Sequence, residues 1–121
     1  MGIRTLVFLG TLTLGALSAG AQSTITGYQD RLVRLAEIMG SLYHLRDVCG
    51  RSEGDLWRKN LQRLMETEDP PQDTRGRMVA GFNQSYEQQR RSHSRCSGAA
   101  TDEITRLARE GERLTNQLAQ Q

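Results

Sequence analysis

The stretch Tyr28–Gly50, YQDRLVRLAEIMGSLYHLRDVCG, decides the fold of this chain. Tyr28, Leu32, Leu35, Met39, Leu42 and Cys49 recur at steps of three, four or seven residues, the spacing of one helical face. Ala36 and Tyr43 widen that face, and Ile38, Leu45 and Val48 add a second apolar edge. A helix apolar on two sides must be covered on both, so this segment is expected to be the central helix of an assembly. Thr26-Gly27-Tyr28-Gln29 has the T-x-x-Q form of a capping box and predicts a start near Gly27. Gly50 suits the other end, where a left-handed residue closes the last turn. Gly40 inside the helix costs about 1 kcal/mol relative to alanine. It predicts either close packing or a bend at Gly40-Ser41.

Three more helices follow. Ser52-Glu53-Gly54-Asp55 opens the second, with Ser52 as a capping residue and acids at the positive end of the helix dipole. Trp57, Leu61, Leu64 and Met65 are its expected buried face, and Pro70-Pro71 ends it after the acidic run Glu66 to Asp69. Pro71 fits the first turn of a third helix, expected from Gln72 to Arg95. Met78, Val79, Phe82 and Tyr86 give that helix an apolar face in its first half only. From Glu87 to Arg95 no aliphatic or aromatic residue appears apart from His93, and the seam continues through Gln89, His93 and Cys96. After a break at Ser97-Gly98, Thr101-Asp102-Glu103 is expected to start the fourth helix, with Ile104, Leu107, Ala108, Leu114 and Leu118 as its seam and Gly111 on the same line. No segment alternates strictly between apolar and polar, so no sheet is expected. The fold class is an all-α, up-down bundle of about four helices.

The N-terminus has the parts of a secretory signal peptide. Arg4 is a short positive region, Leu6 to Leu17 an apolar core, and Ala19-Gly20-Ala21 a small-residue cleavage site. Residues 1–21 are therefore read as the signal peptide and 22–121 as one helical domain, exported to the periplasm. The apolar stretch is shorter than the ~20 residues that span a bilayer, so no stable membrane span is expected after cleavage. Arg4 is the only charged residue before the cut, which leaves 15 basic and 14 acidic side chains in the mature domain. So balanced a charge gives no reason to expect nucleic acid as a partner. All the basic residues but Lys59 are arginine.

In an oxidising compartment the two cysteines, Cys49 and Cys96, are expected to form one disulfide. Short turns make neighbouring helices antiparallel. Helices one and three then run the same way, which brings the ends carrying Cys49 and Cys96 together. A redox pair would more often sit in C-x-x-C on a thioredoxin-like fold. His93 and Cys96 are one turn apart, but His44 is remote and no carboxylate completes a metal site. Ser41 and His44 are also one turn apart, without the strand-turn-helix setting of a hydrolase nucleophile. No catalytic residue, metal site or cofactor is therefore assigned, and the chain is not read as an enzyme. Arg90, Arg91, His93 and Arg95 form a local basic run. It is either a solvated helix face with Glu87 nearby or a possible binding site for an anionic lipid or small ligand.

Leu45-Arg46-Asp47-Val48-Cys49-Gly50, Trp57-Arg58, Val79-Ala80-Gly81-Phe82-Asn83 with Tyr86, and the final Cys96 together resemble a family of small exported alphaproteobacterial proteins of unknown function. The resemblance covers about Tyr28 to Leu118. It implies an exported helical domain, matches both cysteines, and supplies no catalytic residue. Arg58 and Asn83 belong to its pattern and are polar, so they either bridge helices or face a partner. The functional expectation is a periplasmic accessory or protein-interaction module of the envelope, its partner an envelope protein. Binding of an anionic ligand at the basic end of helix three is the alternative.

Overall fold

The computed structural model describes the backbone of residues 19–120 and the side chains of residues 26–120. Residues 1–18, which hold most of the expected signal peptide, lie outside the described residues. Four helices follow in order: α1 (Ala19–Val48), α2 (Leu56–Glu68), α3 (Gln72–Ser92) and α4 (Gly98–Ala119). Among the described residues there is no strand, and no helix is long and apolar enough to cross a membrane.

α1 packs against each of the other three helices. Its two apolar edges have separate partners. Leu32 and Ala36 join Leu61 of α2 and Met78 and Phe82 of α3 in one buried cluster. Ile38, Leu42 and Leu45 join Ala100 and Leu107 of α4 in another. Trp57 packs on both clusters, so α2 touches each half of the core. The apolar girth of α1 is thus explained: one face is needed for α2 and α3 and another for α4.

Contacts toward the two ends of the bundle fix the directions. Tyr28 hydrogen-bonds Glu68, which sets the N-terminal part of α1 beside the end of α2. Asp30 pairs with Arg77 at 3.0 Å, and the Cys49–Cys96 bridge closes the opposite end, so α1 and α3 run parallel. Arg34 of α1 holds Glu110 of α4 at 2.6 Å while Cys49 packs on the cluster containing Ala100, so α4 runs antiparallel to α1. The bundle is up-down-up-down, as the turn lengths imply.

Gly40 marks the crossing of α1 and α3. A Cβ there would lie 2.1 Å from the Phe82 carbonyl oxygen, so glycine is required by a backbone-to-backbone approach. Across the crossing, a Cβ on Gly81 would come within 3.0 Å of Glu37 Cγ. The interior glycine therefore reports close packing.

The helix ends explain where the element boundaries differ from expectation. α1 is already helical at Ala19, ahead of Gly27. A capping box starts a helix only where the preceding N–H groups lack intrahelical partners, and here the backbone is already helical from Ala19 and supplies them. At the C-terminus, Gly50 has φ +87°, the Arg51 N–H donates to the Arg46 carbonyl at 2.9 Å, and the Gly50 N–H to Asp47 at 3.3 Å. This is the paired closure of a Schellman motif. Ser52 does not cap α2, which starts at Leu56 after Asp55. The Glu53 carboxylate is taken by Arg46 instead, and Gly54 at φ +57° turns the chain. α2 closes on Asp69 in the left-handed region, and Arg75 clasps that turn through Asp69 Oδ1 and the Pro70 carbonyl. Pro71 is the N-cap of α3 rather than part of its first turn. α3 stops at Ser92, short of Arg95, because the chain must leave the helix for Cys96 to reach Cys49. Ser97, not Thr101, caps α4: its hydroxyl accepts from the Ala100 N–H at 3.1 Å. Ala108 lies exposed beside the α4 seam, and Leu107 fills the core.

The two interior glycines on α1 and α4 separate packing from propensity. Gly40→Ala is expected to destabilise the domain by about 1–3 kcal/mol through overpacking against Phe82. Gly111→Ala meets only Ile38 Cγ2 at an ordinary 3.6 Å and is expected to be neutral or to stabilise by about 0.5–1 kcal/mol. Urea unfolding of both variants checks this, and equal effects would contradict the close crossing.

Candidate interaction site

The bridged end of the bundle gathers the polar residues that the sequence singles out. Cys49 and Cys96 are joined with their Cα atoms 4.8 Å apart. Beside the bridge, His44 Nε2 lies 2.6 Å from the His93 carbonyl oxygen. A carbonyl only accepts, so Nε2 carries the proton and donates. His44 is buried, and its ring meets Tyr86 edge-on at 5.8 Å. Its hydrogen bond therefore holds the first residue after α3. Ser41 is buried one turn away on the same helix.

The basic run lies at this end of α3. Arg90 pairs with Glu87 at 3.3 Å, while Arg91 and Arg95 are exposed. Arg51, two residues beyond Cys49, is carried to the bridged end of the bundle and is exposed there. The sequence does not signal it, because it is remote from the basic run along the chain. Cys96 is spent in the bridge, so it cannot ligate a metal with His93.

A second cluster is built from the pattern residues on α2 and α3. The Arg58 guanidinium sits over Tyr43 at 5.6 Å and over Phe82 at 5.5 Å. Tyr43 in turn meets Tyr86 at 5.0 Å. Arg46 lies over Trp57 at 5.9 Å. Guanidinium planes stack well on aromatic faces while keeping their donors in water. Arg58 thus bridges α2 to α1 and α3 and still presents a cation to solvent. Asn83 is exposed and has no side-chain hydrogen bond among the described residues.

Three surface concavities accompany these clusters. A cleft of about 400 Å³ between α2 and α4 has Leu35 and Met39 of α1 as its floor, Leu64 and Leu118 as walls, and Arg63 and Glu68 on the rim. A cleft of about 280 Å³ beside the bridge is lined by Arg46, Cys49, Arg51, Thr101, Ile104 and Thr105. A shallow hollow between α2 and α3 contains Met65, Gly76, Val79, Ala80 and Asn83. Arg90, Arg91 and Arg95 line none of them.

Ion pairs shape the remaining surface. A hydrogen bond from Arg34, against a smaller opposing effect of burial, holds the Glu110 carboxyl below the usual carboxylate range. Arg106 does the same for Glu103. Tyr28 is pushed the other way. Partial burial first, then the bond to Glu68 and its charge, raise the phenol to about 12.

The model of the family described as "Protein of unknown function (DUF2385)" matches residues 27–121, and the chain belongs to that family. No curated protein and no solved structure matches it.

The shifts set a pH window. Glu103 and Glu110 have lowered folded values, so their stabilisation is present above the carboxylate range and is lost as pH falls through it. Tyr28 has a raised value, so its contribution is complete below its ordinary value of 10.0 and is lost as pH rises toward about 12. Tyr28→Phe is expected to flatten the alkaline limb of the stability profile, and Glu110→Gln the acid limb. Denaturant titrations across pH check both, and variant profiles parallel to the wild type would contradict the assignments.

Proposed function

We propose that this DUF2385 protein is exported to the periplasm and acts there by binding another protein of the envelope, not by catalysis. Its N-terminal signal pattern and its disulfide support export, since a bridge of this kind persists in oxidising compartments. The observation that carries the binding reading is the cleft between α2 and α4. Its floor and walls are apolar: Leu35 is buried beneath it, and Met39, Leu64 and Leu118 are half-buried, each keeping part of its surface in solvent. Its rim offers both signs of charge, Arg63 and Glu68. An open apolar groove edged by charge suits an amphipathic helix from another protein. The buried His44 is engaged by a structural partner, the His93 carbonyl. The alternative, an anionic lipid or small ligand at Arg90, Arg91 and Arg95, has less support. Arg90 already pairs with Glu87, and none of these three residues lines a cleft described above.

Capture of the tagged protein from periplasmic extract tests this reading. A specific envelope protein is expected in the wild-type eluate and is expected to be lost, at least about tenfold, with Leu118→Glu. Recovery of nothing above background, or equal capture by the variant, would contradict it. Fractionation supplies the test of export: the protein is expected in the periplasm, shortened at Ala21, with no alkylatable thiol. A cytoplasmic protein with two free thiols would overturn the proposal.

A further inference from the structure

The outward face of α3 is left without a partner in the bundle. Val79 sits there 42% exposed, one of two large apolar side chains left so accessible among the described residues. Gly76, Ala80 and Asn83 share its face at helical spacing, and Met65 of α2 borders it. A Cβ on Gly76 would meet nothing within 4 Å, so no packing inside the chain requires glycine at that point. The face continues to both ends of the helix. Asp73 stands in the first turn and Arg91 in the last. They are about five helical turns apart and so lie on the same edge of the face, roughly 27 Å from each other. Both are exposed, and neither has an ion-pair partner among the described residues.

We propose that this face of α3 is a self-association surface, on which a second copy of the chain docks its own α3 in antiparallel orientation. Charge selects both the occupant and the direction. Antiparallel pairing about a two-fold axis level with residue 82, midway between 73 and 91, sets Asp73 of each copy along the same edge as Arg91 of the other, with Val79, Ala80 and Asn83 within about 5 Å of the axis along the helix. Parallel two-fold pairing would put the edges that carry Asp73 and Arg91 on opposite sides of the contact, level like with like, and would form neither pair. Helix dipoles also favour the antiparallel arrangement, since each positive end meets a negative one. The same patch is used by both copies, so the contact closes as a dimer and does not propagate. Gly76 presents no side chain to the second helix, and the pairing covers the exposed Val79. One helix face is a small contact, so association is weak and concentration-dependent. This proposal goes beyond the envelope-partner reading and is independent of it, because the two use different faces.

Sedimentation velocity on the full exported protein, over about 1–200 µM, tests it. Wild type is expected to pass from monomer to dimer across that range. Val79→Glu is expected to remain monomeric with unchanged helical circular dichroism and melting temperature, because the side chain is exposed in the monomer. Asp73→Arg and Arg91→Glu are each expected to weaken association by about tenfold, equivalent to ~1.4 kcal/mol. An equimolar mixture of those two variants is expected to recover dimerisation, since each altered residue then faces the opposite charge. A merely structural role for Asp73 or Arg91 would not give that recovery. A wild type monomeric throughout, a Val79→Glu variant that still dimerises, or a mixture no better than its components would each overturn the proposal. So would loss of the captured envelope protein with Val79→Glu from a monomeric wild type, which would assign the face to that protein.

Discussion

The Cys49–Cys96 bridge ties the end of the most apolar helix to the end of a helix whose last turns have little apolar surface to bury. From Glu87 to Ser92, α3 offers only polar and charged side chains, and such a segment gains little by docking. Two things hold it. The bridge fixes the chain just beyond the helix, and the His44 imidazole takes the His93 carbonyl one step before. Joining residues separated by 47 positions restricts the unfolded chain by about 4 kcal/mol in the loop-entropy model. That is a large share of the 5–15 kcal/mol typical of a small domain. The bridge also sets the path into α4, since Ser97 follows Cys96 directly and caps the last helix.

The non-covalent core does the complementary work at the middle of the bundle. Gly40 lets the α1 and α3 backbones touch at Phe82, and Phe82 in turn provides a ring on which Arg58 rests. The residues that carry the family resemblance therefore meet in space. Cysteine, glycine and phenylalanine build the α1–α3 pairing, and tryptophan and arginine fasten α2 across it. Most of that pattern is explained by packing. Asn83 is the exception, exposed on the outer face of α3 next to Val79, where stability within the chain gives it no task. Polar residues without an internal role are where a binding surface is best sought.

Much of this was legible in the sequence. The two apolar edges of α1 specified a central helix because no single neighbour can cover both. The cysteine positions specified parallel α1 and α3 because each cysteine ends its helix. Gly40 announced a close approach but not its partner, which is a backbone atom and leaves no mark on the pattern. Boundaries were less legible wherever a long-range contact overrode a local signal. Arg46 drew Glu53 away from a capping role, and the bridge pulled the chain out of α3 before Arg95. At the surface, sequence adjacency singled out Arg90, Arg91, His93 and Arg95, whereas folding pairs Arg90 with Glu87 and carries Arg51 to the bridged end of the bundle. The cleft between α2 and α4 was not legible, because it depends on two helices standing apart over a shared floor.

The central claim is that the bridge, not burial, orders the polar end of α3. Amide hydrogen exchange on the oxidised and the reduced protein tests it most directly. The account predicts that reduction removes protection from the amides between Gln88 and Ser92 while those around Leu32–Leu45 and Met78–Phe82 stay protected, because the core near Gly40 is held by packing. Unchanged protection at Gln88–Ser92 after reduction would contradict it.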